Sequence, residues 1–134
     1  MIKKFYFSIL GLAFIMCLFS FTNIKKVAEN KWNGVASYYH AKFHGRKTAT
    51  GEVFSNAKMT AANNFLKLGT LVKVTNLTSG KSVIVKINDR MNANNHRLID
   101  LSQAAAKKIG IVQQGIGSVS IEVLSAATDY LANR

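Results

Sequence analysis

Proline is absent from this chain of 134 residues, and cysteine occurs once. The first absence excludes Pro-rich linkers and collagen-like repeats. The second excludes an internal disulfide framework and any zinc site built from several cysteines. Acid is scarce as well: six Asp and Glu stand against 18 Lys and Arg, a formal net charge of +12. Any carboxylate mechanism must therefore draw on Glu29, Glu52, Asp89, Asp100, Glu122 or Asp129. Phosphate-binding signatures are missing too. No Gly-x-x-x-x-Gly-Lys-Ser/Thr loop occurs, and Gly115-Ile116-Gly117 lacks the rest of a dinucleotide fingerprint. There is no Gly-x-Ser-x-Gly nucleophile elbow. What is present is 49% hydrophobic residues, too many for a disordered polycation, in a length that suits one domain.

Met1-Ile2-Lys3-Lys4 is basic, and Phe5 to Phe21 then runs without a charge. That is the layout of a secretory signal peptide over residues 1–22. An uncleaved membrane anchor is the alternative, because the 17-residue run reaches the low edge of a span of about 17–25 residues. Cys17 lies inside the apolar run, which continues through Leu18-Phe19, so it reads as part of the signal rather than as a lipid-modified cysteine. Cleavage near Thr22 removes Lys3 and Lys4 and leaves a cysteine-free chain of net charge +10, which fits an oxidising envelope. An exported basic domain meets anionic lipids and acidic wall polymers before it meets nucleic acid.

Residues 23–33 are polar and without a period, and read as a linker. The folded domain is expected over 34–124, with a weak C-terminal tail over 125–134. Val35 to Tyr39 suits a strand by composition. Val72 and Val74 share one face, as do Val83, Val85 and Ile87, and Thr78-Ser79-Gly80-Lys81 between them marks a turn. Leu101 to Ile109 reads as the helix, capped by Asp100 or Ser102 and stopped at Gly110. Val119, Ile121 and Val123 alternate in a last strand, with Glu122 outward. Short strands with one helix predict a mainly β domain, a closed barrel or sandwich of about 90 residues.

Asp89 keeps the parity of Val83, Val85 and Ile87, so alternation points it toward the core side of a barrel mouth. A carboxyl that loses water there suits general-acid work, with Arg90 and Lys86 opposing. The alternative is a structural Asp tied to Arg90, Arg97 or backbone amides. Glu52 follows a glycine-flanked basic loop, Gly45 to Gly51, which would let backbone approach a ligand, or else it is an ordinary loop glutamate. His40 and His44 lie four apart but in a loop and among cations, without the His-Glu-x-x-His pattern, so no metal site is expected. Trp32, Tyr38, Tyr39 and Phe43 offer aromatic faces for sugar rings, or pack in the barrel.

The order of Gly34-Val35-Ala36-Ser37-Tyr38-Tyr39, Arg46-Lys47-Thr48-Ala49-Thr50-Gly51-Glu52, Thr60-Ala61-Ala62, Leu68-Gly69-Thr70, Asn88-Asp89-Arg90 and Arg97-Leu98-Ile99-Asp100-Leu101-Ser102 resembles the rare lipoprotein A (RlpA) family. The resemblance covers about Gly34 to Leu124. It implies a six-stranded double-psi β-barrel with one short α-helix, related to expansin-like barrels. It implies a septal-ring type of endolytic lytic transglycosylase in the periplasm or cell envelope. Such enzymes cleave MurNAc–GlcNAc linkages in glycan stripped of stem peptides and leave anhydro-muramyl ends. By position, the resemblance makes Asp89 and Glu52 the catalytic pair, with Asn63, Arg90, Tyr39 and Thr48 binding substrate. Asn63 stands where the family often has His, and Met91-Asn92 where it often has Gly-Pro. These departures point to the second reading, a non-catalytic expansin-like wall-binding module. On either reading the partner is peptidoglycan and not nucleic acid. The chain is expected to be a monomer that needs no cofactor or metal, and to touch a membrane only through an uncleaved N-terminus.

Overall fold

A computed structural model describes residues 30–125 of the chain. The signal, the first part of the linker and the C-terminal tail lie outside the described residues. Six strands form: β1 (Lys31–Tyr38), β2 (Thr60–Ala62), β3 (Leu71–Asn76), β4 (Ser82–Asp89), β5 (Ile99–Leu101) and β6 (Gly117–Ser125), with one helix, α1 (Gln103–Ile109). They close into a barrel in the order β1-β5-β2-β4-β3-β6. The β1–β5 and β2–β4 pairs are parallel and the others antiparallel. The six-stranded mainly β barrel with one short helix agrees with the sequence.

Period-two hydrophobicity builds the interior. Val72, Val74, Val83, Val85, Ile87, Val119 and Ile121 are all buried, joined by Ile99 and Leu101. Each such side chain contributes about 1.5–3 kcal/mol by leaving water. The β3–β4 hairpin forms as expected, with Val72 opposite Val85 and Val74 opposite Val83. Helix α1 covers the barrel with Ala105, Ala106 and Ile109. Its cap is Ser102, whose hydroxyl accepts from the Ala105 amide, and Gly110 ends it at φ 76°. Asn76 of β3 donates its side-chain amide to the Ile109 carbonyl at 2.7 Å, meeting one carbonyl that the helix end leaves unpaired.

The structure corrects three local expectations. Strand β1 starts at Lys31 rather than Gly34, because Lys31, Trp32 and Asn33 pair with Glu122, Ile121 and Ser120. Helix α1 starts after Ser102, since Asp100 and Leu101 are drawn into β5. Asp100 therefore does not cap the helix. Finally, the alternation of β4 stops at Ile87. The β2–β4 register slips between Ala61 and Ala62, so that Ala62 faces Asp89. Asn88 becomes the buried residue after Ile87, and Asp89 turns to the rim, half-buried. A bulge re-aims one side chain in this way.

Candidate active-site cleft

The chain from Tyr39 to Asn56 builds one wall of a cleft of about 710 Å³, and Asp89 to Asp100 builds the other. No ladder holds the Tyr39–Asn56 stretch; single interactions do. His40 Nδ1 accepts from the Lys42 amide and caps a short 3-10 turn at Ala41–Phe43. His44 Nδ1 accepts from the Asn56 amide at 3.3 Å. Both imidazoles thus organise the loop. Two bonds join Gly45 to Phe54 and Phe54 to Arg46, and Thr48 receives the Gly51 amide and donates to the Glu52 carbonyl. That tight turn needs φ +83° at Gly51, where a β-carbon would be strained.

Asp89 fastens this turn to the barrel. Its Oδ1 accepts from the Ala49 amide at 2.9 Å and from the Arg90 amide at 2.9 Å. Its Oδ2 accepts from the Tyr39 hydroxyl at 2.6 Å. The tie considered from sequence is therefore made by backbone amides and a phenol. The two candidate cations are engaged elsewhere. Arg90 donates to the carbonyls of Asn63 and Leu66, and Arg97 makes a bidentate pair with Asp100 at 2.7 and 3.0 Å. Burial, and then the Asp89 carboxylate, push the Tyr39 hydroxyl far above the ordinary tyrosine range. Tyr39 is consequently a phenol donor at every working pH. Its ring stands between Phe43 and Phe54, with centroids 5.7 and 4.3 Å away.

Glu52 occupies the other side of the turn. Both its oxygens bind Lys86 Nζ, at 2.9 and 3.0 Å, and Oε1 also accepts from Thr50. The Lys86 ammonium holds this carboxyl below its ordinary value of 4.5, burial opposes it, and Thr50 adds a smaller lowering. Glu52 does not line the cleft. Asn63 does not either: it is wholly buried, with Oδ1 accepting from the Phe65 and Leu66 amides and Nδ2 donating to Leu98. Thr48 is buried in the turn and shares a hydrogen bond with Thr50 at 2.9 Å. Of the residues singled out from sequence, the structure brings Asp89, Tyr39 and Arg90 to the cleft and keeps Glu52, Asn63 and Thr48 behind its wall.

Sequence reasoning missed Phe54, Lys42, Arg46 and Lys47 as cleft residues. Lys42 and Arg46 lie over the Phe43 ring at 5.3 and 5.4 Å. The basic character of the Gly45–Gly51 loop was the available signal for them; nothing in a loop without a period marked Phe54. The lining holds five cationic residues, Lys42, Arg46, Lys47, Arg90 and Arg97, against Asp89 and Asp100. With Asp100 committed to Arg97, Asp89 is the one carboxylate in the wall that has no cationic side chain bonded to it among the described residues. Such a site can hold an anionic chain and offer it one carboxyl group.

A family model described as lytic transglycolase matches residues 31–121. The endolytic peptidoglycan transglycosylase RlpA of Haemophilus influenzae is 53% identical over 94 residues, covering 70% of this chain and 33% of that protein. The chain spans about a third of the length of the curated relatives it matches. Among solved structures, the Streptomyces papain inhibitor aligns with a TM-score of 0.58 at 21% identity, over 71% of this chain and 94% of that one. A Clavibacter michiganensis expansin mutant in complex with cellohexaose gives 0.56 at 20% identity, over 71% and 50%. These two establish likeness of fold alone. Taken with the closed barrel, the matched span and the shared identity place this chain in the RlpA family of double-psi β-barrel proteins.

Proposed function

We propose that this chain is an endolytic peptidoglycan lytic transglycosylase of the cell envelope, with Asp89 as its acid/base. The observation that carries the proposal is a single carboxylate, without a cationic side-chain partner among the described residues, at the rim of a basic, aromatic-walled cleft. Hydrolases of glycosidic bonds ordinarily need two carboxyl groups, one of them to activate water or to attack. A transglycosylase needs one. The Asp89 carboxyl gives its proton to the glycosidic oxygen between MurNAc and GlcNAc, and the bond from that oxygen to the muramyl anomeric carbon breaks. The muramyl 6-hydroxyl oxygen closes onto the same carbon, and its proton passes to the Asp89 carboxylate. The products are a free GlcNAc hydroxyl and a 1,6-anhydro-muramyl end, with no water consumed.

The other residues serve this group. Tyr39 and the Ala49 and Arg90 amides fix the carboxylate, as a general acid must be fixed to meet its oxygen. Arg90 further clamps the turn at Asn63–Leu66. Glu52, through Lys86 and Thr50, sets the turn that presents Ala49; its role here is positioning. Asn63 supports the same wall, and Thr48 shapes the turn. The free cations suit glycan stripped of stem peptides, whose lactyl groups are carboxylates. The names of the curated relatives support the substrate and reaction. A basic start followed by an apolar run supports export.

One observation favours the second reading, a wall-binding module without activity: three internal donors on Asp89 are also what a structural aspartate would have. Mass spectrometry of stripped glycan strands incubated with the full chain decides between them. Anhydro-muramyl products that disappear in Asp89→Asn are expected. Glycan binding without products in the parent overturns the enzyme.

A further inference from the structure

Adjoining the cleft along the Met91–Arg97 segment lies a smaller hollow of about 320 Å³. We propose that this hollow is a second sugar subsite, which takes a neutral N-acetylated hexosamine ring of the same strand that occupies the cleft. The proposal rests on the glycan reading above and extends it to a place outside the reacting pair. The two cavities share Met91, Asn95 and Arg97 in their walls and so adjoin, which places the hollow within reach of a strand seated in the cleft.

The chemistry of the lining selects the occupant. One wall is Phe65, 54% exposed, on a small domain whose other large apolar side chains mostly enter the core. Trp32 braces it, ring to ring at 5.1 Å and 64°. A braced, half-bare aromatic face suits the C–H face of a pyranose. Asn33 and His96 also line the hollow, and their amide and imidazole match hydroxyl and acetamido groups, while Asn64 is bound to Met91 and Asn92 and shapes the wall. Charge is what distinguishes the hollow from the cleft. Its one permanently charged residue, Arg97, is neutralised by the bidentate pair with Asp100. The cleft therefore favours the anionic sugar and the hollow the neutral one, in keeping with a strand that alternates the two. The floor depends on Gly34. A β-carbon there would stand 2.7 Å from Leu98 Cβ and drive that side chain up into the space.

The test is calorimetric titration of the full chain with two stem-peptide-free probes, a MurNAc–GlcNAc disaccharide and an eight-sugar strand, beside Phe65→Ala and His96→Ala. Emission of Trp32, the single tryptophan, is followed in parallel. Phe65→Ala is expected to weaken the eight-sugar strand about fivefold, the size of one aromatic contact, and to leave the disaccharide unchanged. His96→Ala, a fully surface change, is expected to act in the same direction, and Trp32 emission to respond to the long probe only. Unchanged affinity of both variants for the long strand overturns the subsite, as does an equal loss for both probes. A parent that binds neither probe overturns the glycan reading and the subsite together. A parent that binds without forming anhydro ends, while Phe65→Ala still loses affinity for the long strand alone, overturns the enzyme and upholds the subsite.

Discussion

The β3–β4 hairpin and the loop from Tyr39 to Asn56 are held together in opposite ways. In the hairpin, five register pairs repeat one interaction, and the buried valines on each strand do the same work as their neighbours. In the loop nothing repeats. One carboxylate, two histidines, one ion pair and two left-handed glycines each supply something that no other residue duplicates. The barrel thus spreads its stability over many equivalent contacts, and the loop concentrates its geometry in a few. Substitutions in the first should be read as changes in folding free energy, and in the second as changes in activity at nearly constant stability.

Four substitutions sharpen or break that contrast. The largest effect is expected from Asp89→Asn: a fall in turnover of about 10²–10⁴-fold, the range for loss of a general acid/base. Oδ1 still accepts the two amides, so the thermal midpoint should move little; a large drop would make Asp89 a member of the scaffold and break the contrast. Ile121→Ala, in the barrel core, should cost about 2–5 kcal/mol in urea denaturation with turnover per folded molecule retained. Next comes Tyr39→Phe, which removes one hydrogen bond to a carboxylate, worth about 1.5–3 kcal/mol. We expect a roughly tenfold loss in turnover, with the ring still packed between Phe43 and Phe54; unchanged rates would show that two amides suffice to aim the acid.

The smallest effect belongs to Lys86→Gln. The Glu52–Lys86 pair is well exposed, so screening keeps its share of stability to about 1 kcal/mol or less. Its pH dependence has a definite sign. Glu52 titrates below 4.5 in the folded chain, so the unfolded chain binds the proton more readily. The stabilisation is present above 4.5 and is lost as pH falls through the lower folded value. In Lys86→Gln that acid-side loss should vanish from the stability–pH curve, while the neutral-pH midpoint shifts by only a degree or two. An undiminished acid limb would assign it to another carboxylate.

The same contrast explains what could be read from the sequence. Val72, Val74, Val83 and Val85 announce a hairpin because a repeated contact leaves a repeated pattern. Ser102 and Gly110 bracket the helix through cap chemistry that is local. β2 and β5 are three residues each, too short to carry a period, and only the motifs of a resemblance mark them. Asp89 was identified as chemistry-bearing, yet its direction was misjudged, because a one-residue bulge against Ala61–Ala62 reverses parity without marking the sequence. Trp32 was grouped with Tyr39 and Phe43 by proximity along the chain. Strand β1 separates them, carrying Trp32 to Phe65 and Tyr39 to Phe54. The partner of Glu52 was the hardest to see, since Lys86 is 34 residues away and appeared only as a competitor for Asp89.

Closure of the barrel also has a consequence in time. The seam is made by β1 against β6, the first described strand against the last. While the chain is being synthesised, β1 has no antiparallel partner until the other described strands have emerged. Its parallel partner β5 also arrives late, so few early contacts reward the ordering of β1. Commitment to the native state is therefore deferred to the arrival of the last strand. A barrel sealed by its first and last described strands is thus locked late, whatever the order in which its other pairs form.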